Sequence, residues 1–428
     1  MDNNYQYNIN ILWISFSGSW TLPLLSNIRK INKGRISIIK PTFNKNEEEG
    51  KIIKDGIEYY TIFFSHKELL SSMTKSTFQK FNTIITRTAP DIIHIHGTEK
   101  NLAQIQNFVT HIPVVISIQG ILSACKNYVY NYLNKNELLS CASVKNLLGW
   151  GGVKYMERII KKSQNFEENI FSNGQYFIGR TMWDRAQIIF RNPKAKYYVG
   201  EELLRNEFYE FQNSWSQQHC IPYRLFMPAG INPMKGLHLA IKAVILLKKF
   251  YPNIQLIVPG IPSKFSSNNS LRIKLLGEEY ITMIKRIIKK NNLQSNIKLL
   301  DRLSAQEMVD EMLKANVFIA PTSIENSSNA IGEAMMIGVP VVTTPVGGLT
   351  SFLEDNFNCL ITPAGDEYLL AFQIKNFFDN KFLAEKISHN AYKTALKRHD
   401  IDKTTTQYLN IYNEIIQLHT LKETNKTI

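Results

Sequence analysis

Short apolar runs alternate with longer amphipathic stretches along the whole chain. Apolar residues at helical spacing predict a helix over 235–251, and Ser304 with Glu307 forms a capping box that opens a helix to about residue 314. The runs that predict buried strands, most of them ending in small, polar or glycine residues, are 9–15, 92–96, 114–118, 176–178, 223–227, 254–258 and 317–320. This alternation favours an α/β fold with parallel sheets.

The length of the chain favours two domains. A chain of 428 residues is too long for one ordinary core and suits two domains of roughly 200 residues each. The stretch between Tyr198 and Ile221 is polar and poor in strand signals, so we place the boundary there, with one domain over 1–205 and a second over 206–402.

Composition is that of a soluble globular protein, with 44% hydrophobic and 20% charged residues. No apolar run approaches the ~18–20 residues that span a bilayer, and the N-terminus lacks the basic region of a secretory signal. The cysteines form no CxxC pair and no cluster of zinc-site spacing, so we expect reduced packing thiols and no metal site. They are Cys125, Cys141, Cys220 and Cys359.

The formal net charge of +14 leaves two interpretations open. The basic residues either form a solvated surface, or they contact an anionic membrane surface or an anionic substrate. No signature of a nucleic-acid-binding module is present, so we expect no nucleic-acid partner.

Two glutamates, Glu325 and Glu333, follow the predicted strand 317–320 and lie eight positions apart. Good N-cap residues at 327–329 predict a helix from about Ala330 to Ile337, ended by Gly338. A helix N-terminus can hold phosphate oxygens, and a carboxylate can accept hydrogen bonds from the two hydroxyls of a diol. The alternative is an acidic first turn that merely suits the helix dipole.

Lys235 lies at the start of the predicted helix 235–251, directly before Gly236. A lysine at a helix N-terminus can neutralise a leaving diphosphate, although an ordinary surface lysine fits the position equally. The glycine spacing and the Ser/Thr of a Walker A loop are missing.

With the predicted strand and double-glycine turn of 339–348, the glutamate segment resembles the E-x7-E signature of retaining glycosyltransferases of family 4 (glycosyl transferases group 1). The resemblance is strong over 227–366. It implies the GT-B fold, in which two Rossmann-like domains face a cleft. The acceptor binds the first domain, the donor binds the second, and the last stretch, 403–428, crosses back to the first.

The resemblance also implies roles for residues of the second domain. Glu333 would hold the donor ribose, Glu325 would contact the transferred sugar, and Lys235 would neutralise the diphosphate. Backbone amides of the helix start would face the sugar and the diphosphate; these belong to Asn329, Ala330, Ile331 and Gly332.

The chain departs from the family at two positions. Gly230 stands where the family has an arginine that contacts the diphosphate, and Gln119 stands where many members have a histidine that reaches the donor sugar. Arg180 is our candidate for the missing charge; the alternative is that it pairs with Asp184 at a helix start. Gly18 lies in the turn after the first strand, where open α/β sheets bind ligands, and we assign it to the donor site as well.

The stretch around Arg180 resembles a Gly-Arg-Thr-x-Trp-Asp motif of a family branch active in capsule, O-antigen and exopolysaccharide assembly. We therefore expect a cytoplasmic or peripheral inner-membrane glycosyltransferase. It would transfer a sugar from a nucleoside-diphosphate sugar to a glycan or lipid-linked saccharide, with no cofactor and no metal. The departures at Gly230 and Gln119 keep an alternative open: a catalytically silent glycan-binding or scaffolding protein.

Overall fold

The computed structural model describes residues 7–16, 21–47, 49–141, 152–228, 230–261 and 279–427. The chain divides into two compact units. The first unit contains Met1–Ala124, Ile160–Leu203 and His399–Ile428, and the second contains Cys125–Ile159 and Leu204–Arg398.

An eight-stranded sheet forms the centre of the first unit, in the order β3-β4-β2-β1-β5-β6-β7-β8. All neighbouring strands are parallel except the edge hairpin β3–β4, whose Asp55-Gly56 turn has the positive φ angles that such hairpins require. The strands are β1 Ile11–Ile14, β2 Ile36–Thr42, β3 Gly50–Lys54, β4 Ile57–Phe63, β5 Ile92–His96, β6 Val114–Ser117, β7 Tyr176–Gly179 and β8 Lys196–Val199.

Apolar side chains cover both faces of this sheet. Successive residues of a strand point to opposite faces, so Leu12 and Ile14 join one hydrophobic cluster while Ile11 and Trp13 join the other. The helices of this unit include Leu22–Ile31, His66–Leu69, Lys75–Thr88, Leu122–Cys125, Met182–Arg191 and Ile401–Thr427, and the helix Gly152–Asn173 begins in the second unit and continues into the first.

The second unit contains a fully parallel six-stranded sheet in the order β11-β10-β9-β12-β13-β14. Its strands are β9 Arg224–Phe226, β10 Gln255–Val258, β11 Ile297–Leu299, β12 Val317–Ala320, β13 Val341–Thr343 and β14 Leu360–Ile361. Its helices include Lys135–Ser140, Asn206–Glu210, Leu237–Leu247, Glu279–Lys290, Ala305–Leu313, Asn329–Ile337, Glu367–Asp379 and Lys381–Arg398.

The α/β fold with parallel sheets agrees with the prediction, and the antiparallel hairpin at one edge is an addition to it. The compact units divide the chain differently from the boundaries 1–205, 206–402 and 403–428. Residues 125–159 belong to the second unit, because Leu133 and Cys141 pack in its hydrophobic core. Residues 399–428 belong to the first unit, where Tyr408 and Tyr412 are buried.

Within the described ranges, no helix is both long and apolar enough to cross a bilayer.

Candidate functional site

Three loops meet at the carboxyl ends of β9, β12 and β13 in the second unit, the edge at which open α/β sheets bind ligands. Two glycines allow the loops to approach. A Cβ atom at Gly236 would lie 2.1 Å from the carbonyl oxygen of Pro321, and one at Gly347 would lie 2.0 Å from that of Glu325. The amide of Gly348 donates to the same Glu325 carbonyl at 2.9 Å. The double-glycine turn therefore fixes the backbone that carries Glu325.

Lys235 and Glu325 form an ion pair at this junction, in which the ammonium donates to Oε2 of the carboxylate. The structure therefore brings together two residues that lie 90 positions apart in sequence. The lysine side chain is 39% exposed and the glutamate side chain 19% exposed. An ion pair this open to water contributes little to stability. Either side chain can therefore leave its partner and bind a charged ligand at a small cost in free energy.

The helix Asn329–Ile337 begins beside Glu325. Ser328 caps it by accepting a hydrogen bond from the amide of Ile331, and the amide of Gly332 donates to the carbonyl of Ser328. Two of the four amides that the sequence assigned to the donor are thus already engaged by Ser328. The backbone amides of Asn329 and Ala330 head the helix, and they are the better candidates for facing an anion.

Glu333 lies on the same helix, with its side chain completely buried. Arg205 holds it in a bidentate ion pair: Nε donates to Oε1 and Nη2 donates to Oε2, each at 2.7 Å. Burial raises the pKa of the Glu333 carboxyl above its ordinary value, and the hydrogen bonds and charge of Arg205 act against that rise. No local pattern marks Arg205, which lies 128 positions from its partner in the polar stretch predicted as a boundary.

Gly230 is buried, and the space around it explains why no arginine stands there. A Cβ atom at this position would lie 2.7 Å from Cδ2 of Leu237 and 3.0 Å from Cγ1 of Val258. A side chain at this position would have to push the side chains of Leu237 and Val258 aside, and the glycine itself supplies no charge.

The segment Cys125–Leu133 provides a second feature that sequence reasoning missed. The side-chain amide of Asn131 donates to the carbonyls of Pro233 at 2.9 Å and Met234 at 3.2 Å, and it approaches that of Pro321 at 3.4 Å. One side chain thus links the loop that carries Lys235 with the loop that leads to Glu325. Asn131 and Tyr132 both adopt positive φ angles, a conformation that asparagine tolerates better than most residues.

In the first unit, Arg180 and Gln119 meet at one buried carboxylate. Nη1 of Arg180 donates to Glu202 at 2.8 Å, the Gln119 amide donates to the other Glu202 oxygen, and Nε2 of His96 lies 3.2 Å from that oxygen. These contacts lie at the carboxyl ends of β5, β6 and β7. The sequence had not singled out Glu202.

The alternative expectation for Arg180 was a pair with Asp184 at a helix start. The backbone amide of Arg180 donates to Asp184 at 3.0 Å, and Asp184 forms a capping box with Thr181 at the start of the helix Met182–Arg191. His94 is buried on β5 and hydrogen-bonded to Tyr412 and Ser117. Gly18 lies outside the described residues.

Among the residues that the structure describes, no group of three or more His, Cys, Asp or Glu side chains could hold a metal ion. The four cysteines are free thiols.

Residues 215–394 match the family described as "Glycosyl transferases group 1". The chain is 25% identical over 185 residues to the capsular polysaccharide biosynthesis glycosyltransferase CapM of Staphylococcus aureus, which covers 43% of this chain and 44% of CapM. The chain spans less than half the length of the curated relatives it matches.

Solved structures match over nearly the whole chain. Sucrose-phosphate synthase of Thermosynechococcus elongatus superposes with a TM-score of 0.72 at 14% identity, covering 95% of this chain and 99% of that one. HepE of Anabaena, in complex with UDP and glucose, gives a TM-score of 0.65 at 16% identity, covering 95% and 100%. The fold is accordingly GT-B, with its two parallel-sheet α/β units.

Proposed function

Because residues 215–394 match the family described as "Glycosyl transferases group 1", we propose that the chain is a retaining glycosyltransferase of that family. It transfers a sugar from a nucleoside-diphosphate sugar to a saccharide acceptor. The observation that carries this proposal is the Lys235–Glu325 pair beside the N-terminus of the helix Asn329–Ile337. A cation, a carboxylate and a helix N-terminus at one edge suit an anionic, polyhydroxylated ligand.

Front-face displacement accounts for the chemistry without a protein base. The bond between the anomeric carbon and the diphosphate oxygen breaks, and its electron pair stays on that oxygen. Lys235 and the helix N-terminus stabilise the growing negative charge. The acceptor hydroxyl attacks the same face of the sugar, and its proton passes to the leaving diphosphate oxygen. In this scheme Glu325 orients the sugar and Glu333 binds the ribose.

The similar proteins suggest which donor and which acceptor to test. UDP is the first nucleotide to test, because HepE was solved with UDP and glucose. The name of CapM concerns capsular polysaccharide, and we extend this role to the present chain as assembly of a surface polysaccharide on a glycan or lipid-linked acceptor. With a net charge of +14, the protein would act in the cytoplasm against the anionic inner face of the membrane.

A mass-spectrometric screen of nucleotide sugars with the purified protein tests the proposal. We expect one donor to be turned over, and both Glu325→Gln and Lys235→Met to lower kcat/KM by roughly 10²–10³. Lys375→Met is the matched control, because Lys375 forms a comparably exposed pair with Asp379 on the helix Glu367–Asp379 and should leave kcat/KM unchanged.

The opposite result favours the second candidate function. If no nucleotide sugar is bound or turned over, and Glu325→Gln alters nothing, the enzyme proposal fails. A glycan array probed with the same protein would then test the glycan-binding alternative, which the departures at Gly230 and Gln119 support.

A further inference from the structure

The Arg205–Glu333 pair exposes part of its arginine side chain, and none of its glutamate side chain, to solvent. The Glu333 side chain is 0% exposed, whereas that of Arg205 is 17% exposed. Both carboxylate oxygens accept from the guanidinium, one at each end of its fork. A ligand that approaches this position therefore meets Arg205 first. It can reach the carboxylate only if the guanidinium moves.

Removing Arg205 from Glu333 is costly unless something replaces it. A buried carboxylate that loses its partner is strongly destabilised, because its charge is left without compensation. A replacement must donate to both oxygens, and the vicinal hydroxyls of a ribose do so. The released guanidinium then needs an anion. In a nucleoside diphosphate, the phosphates are attached to the 5′ carbon of that same ribose, so one ligand satisfies both groups.

We infer that Arg205 is exchanged when the donor binds: the ribose diol takes its place on Glu333, and its guanidinium pairs with the diphosphate. This inference rests on the proposed function, and it deepens it by naming a second diphosphate cation beside Lys235. Only hydrogen bonds and ion pairs change in this exchange. Both charged groups gain a new partner: the Glu333 carboxylate binds the ribose diol, and the Arg205 guanidinium binds the diphosphate.

Three observations favour Arg205 for this role. Gly230 stands at the position of the family's arginine, and a Cβ atom there would crowd the side chains of Leu237 and Val258. Arg180, the candidate from the sequence, is buried against Glu202 in the first unit. The Arg205 guanidinium also lies 4.9 Å from the ring centroid of the buried Phe208, a surface on which it can slide without losing its apolar contact.

The proposed exchange of Arg205 is tested by the ratio of two dissociation constants, that of the nucleoside and that of the nucleoside diphosphate. Binding of UDP and of uridine is measured by calorimetry for the wild type and for Arg205→Met, with the guanosine and adenosine pairs run in parallel. We expect the variant to bind the nucleoside as tightly as the wild type or more tightly, because nothing has to be displaced. The advantage of the diphosphate over the nucleoside should fall at least tenfold.

A purely structural role for Arg205 predicts a different pattern. Both ligands would then weaken by the same factor, and the ratio would not change; that result overturns the inference. Arg224→Met is the matched control, since it breaks another buried Arg–Glu pair, with Glu311, in the same unit. It should lower the Tm and leave the ratio as in the wild type.

Two further outcomes are distinguishable. If Arg205→Met does not fold, Arg205→Lys replaces it: a lysine keeps the charge but not the fork, so the diphosphate advantage should be largely retained. Loss of that advantage in the folded lysine variant contradicts the exchange. If the wild type binds none of the nucleoside diphosphates, the proposed function itself fails, and the exchange falls with it.

Discussion

Gly230 shows how tightly packing limits the choice of a single residue. Because a Cβ atom there would lie within 3.0 Å of both Leu237 and Val258, we expect Gly230→Ala to lower the free energy of unfolding by about 1–3 kcal/mol. Urea denaturation measures the effect. Gly50→Ala is the control, because a Cβ atom at Gly50 meets nothing within 4 Å, and it should change stability by less than about 0.5 kcal/mol. Equal losses in the two variants would contradict this account.

The position of a single residue in the fold was predictable where strand ends and helix caps mark it in the sequence. Lys235, Glu325 and Glu333 lie at strand ends and helix starts, so periodicity and capping suffice to bring them to one edge of the sheet. Their partners within that edge were not predictable: Arg205 pairs with Glu333 across 128 positions, and nothing in its own neighbourhood marks it. The roles of these residues in donor binding stay predictions that the variants above test.

At the scale of elements, the signals differ in strength. The helix Ala305–Leu313 follows its predicted capping box, and the helix Asn329–Ile337 ends at Gly338 in the left-handed conformation. The edge hairpin β3–β4 was missed although its Asp-Gly turn is a hairpin signal, because the residues of β3 are exposed throughout and give no alternation of buried positions.

Three elements of the second unit meet at His238. Its Nε2 donates to the carbonyl of Asn131 at 2.8 Å, and its Nδ1 lies 2.9 Å from the hydroxyl of Tyr280. Burial lowers the pKa of His238 to about 4, with Lys242 acting in the same direction, and the bond to Asn131 and the charge of Glu137 act against it. The neutral imidazole is thus the form that holds the helix Leu237–Leu247, the helix Glu279–Lys290 and the segment around Asn131 together.

This junction should weaken in acid. A histidine whose pKa is about 4 when folded and near 6.5 when unfolded takes up its proton first in the unfolded chain. Its contribution is therefore fully present above pH 6.5 and is lost as the pH falls towards 4. The loss should reach about 2 kcal/mol at pH 5. Urea denaturation of the wild type and of His238→Gln at pH 7.5 and pH 5 measures it, because glutamine does not titrate. Parallel losses in both proteins would show that other groups cause the acid sensitivity.

At the scale of the whole molecule, the sequence predicted the α/β class and the parallel sheets, since these follow from the alternation of apolar runs. The return of the last stretch to the first unit was expected from the family resemblance. The sequence did not predict that residues 125–159, which lie between two parts of the first unit in sequence, belong to the second. Such assignments depend on which apolar faces fit each other, for example Leu133 in the second core, and no local pattern records that fit.

The return of the last helix makes the first unit dependent on the far end of the chain. Leu409, Tyr412 and Ile415 are fully buried in that unit, and Tyr412 lies 2.6 Å from Nδ1 of the buried His94. Burial of each such side chain contributes about 1.5–3 kcal/mol, and a domain is stable by only about 5–15 kcal/mol in total.

We therefore expect a chain that ends at Arg398 to lose the fold of its first unit and keep that of its second. Hydrogen exchange read by mass spectrometry should show β1, β5 and β6 losing their protection while β9, β12 and β13 retain theirs, because none of the described residues beyond 398 belongs to the hydrophobic core of the second unit. A chain that ends at Thr420 is the control, since residues 421–425 are exposed and none of them belongs to the hydrophobic clusters of the first unit. Unchanged protection of β1 and β5 in the shorter chain would mean that the helix Ile401–Thr427 only covers a sheet that is stable without it.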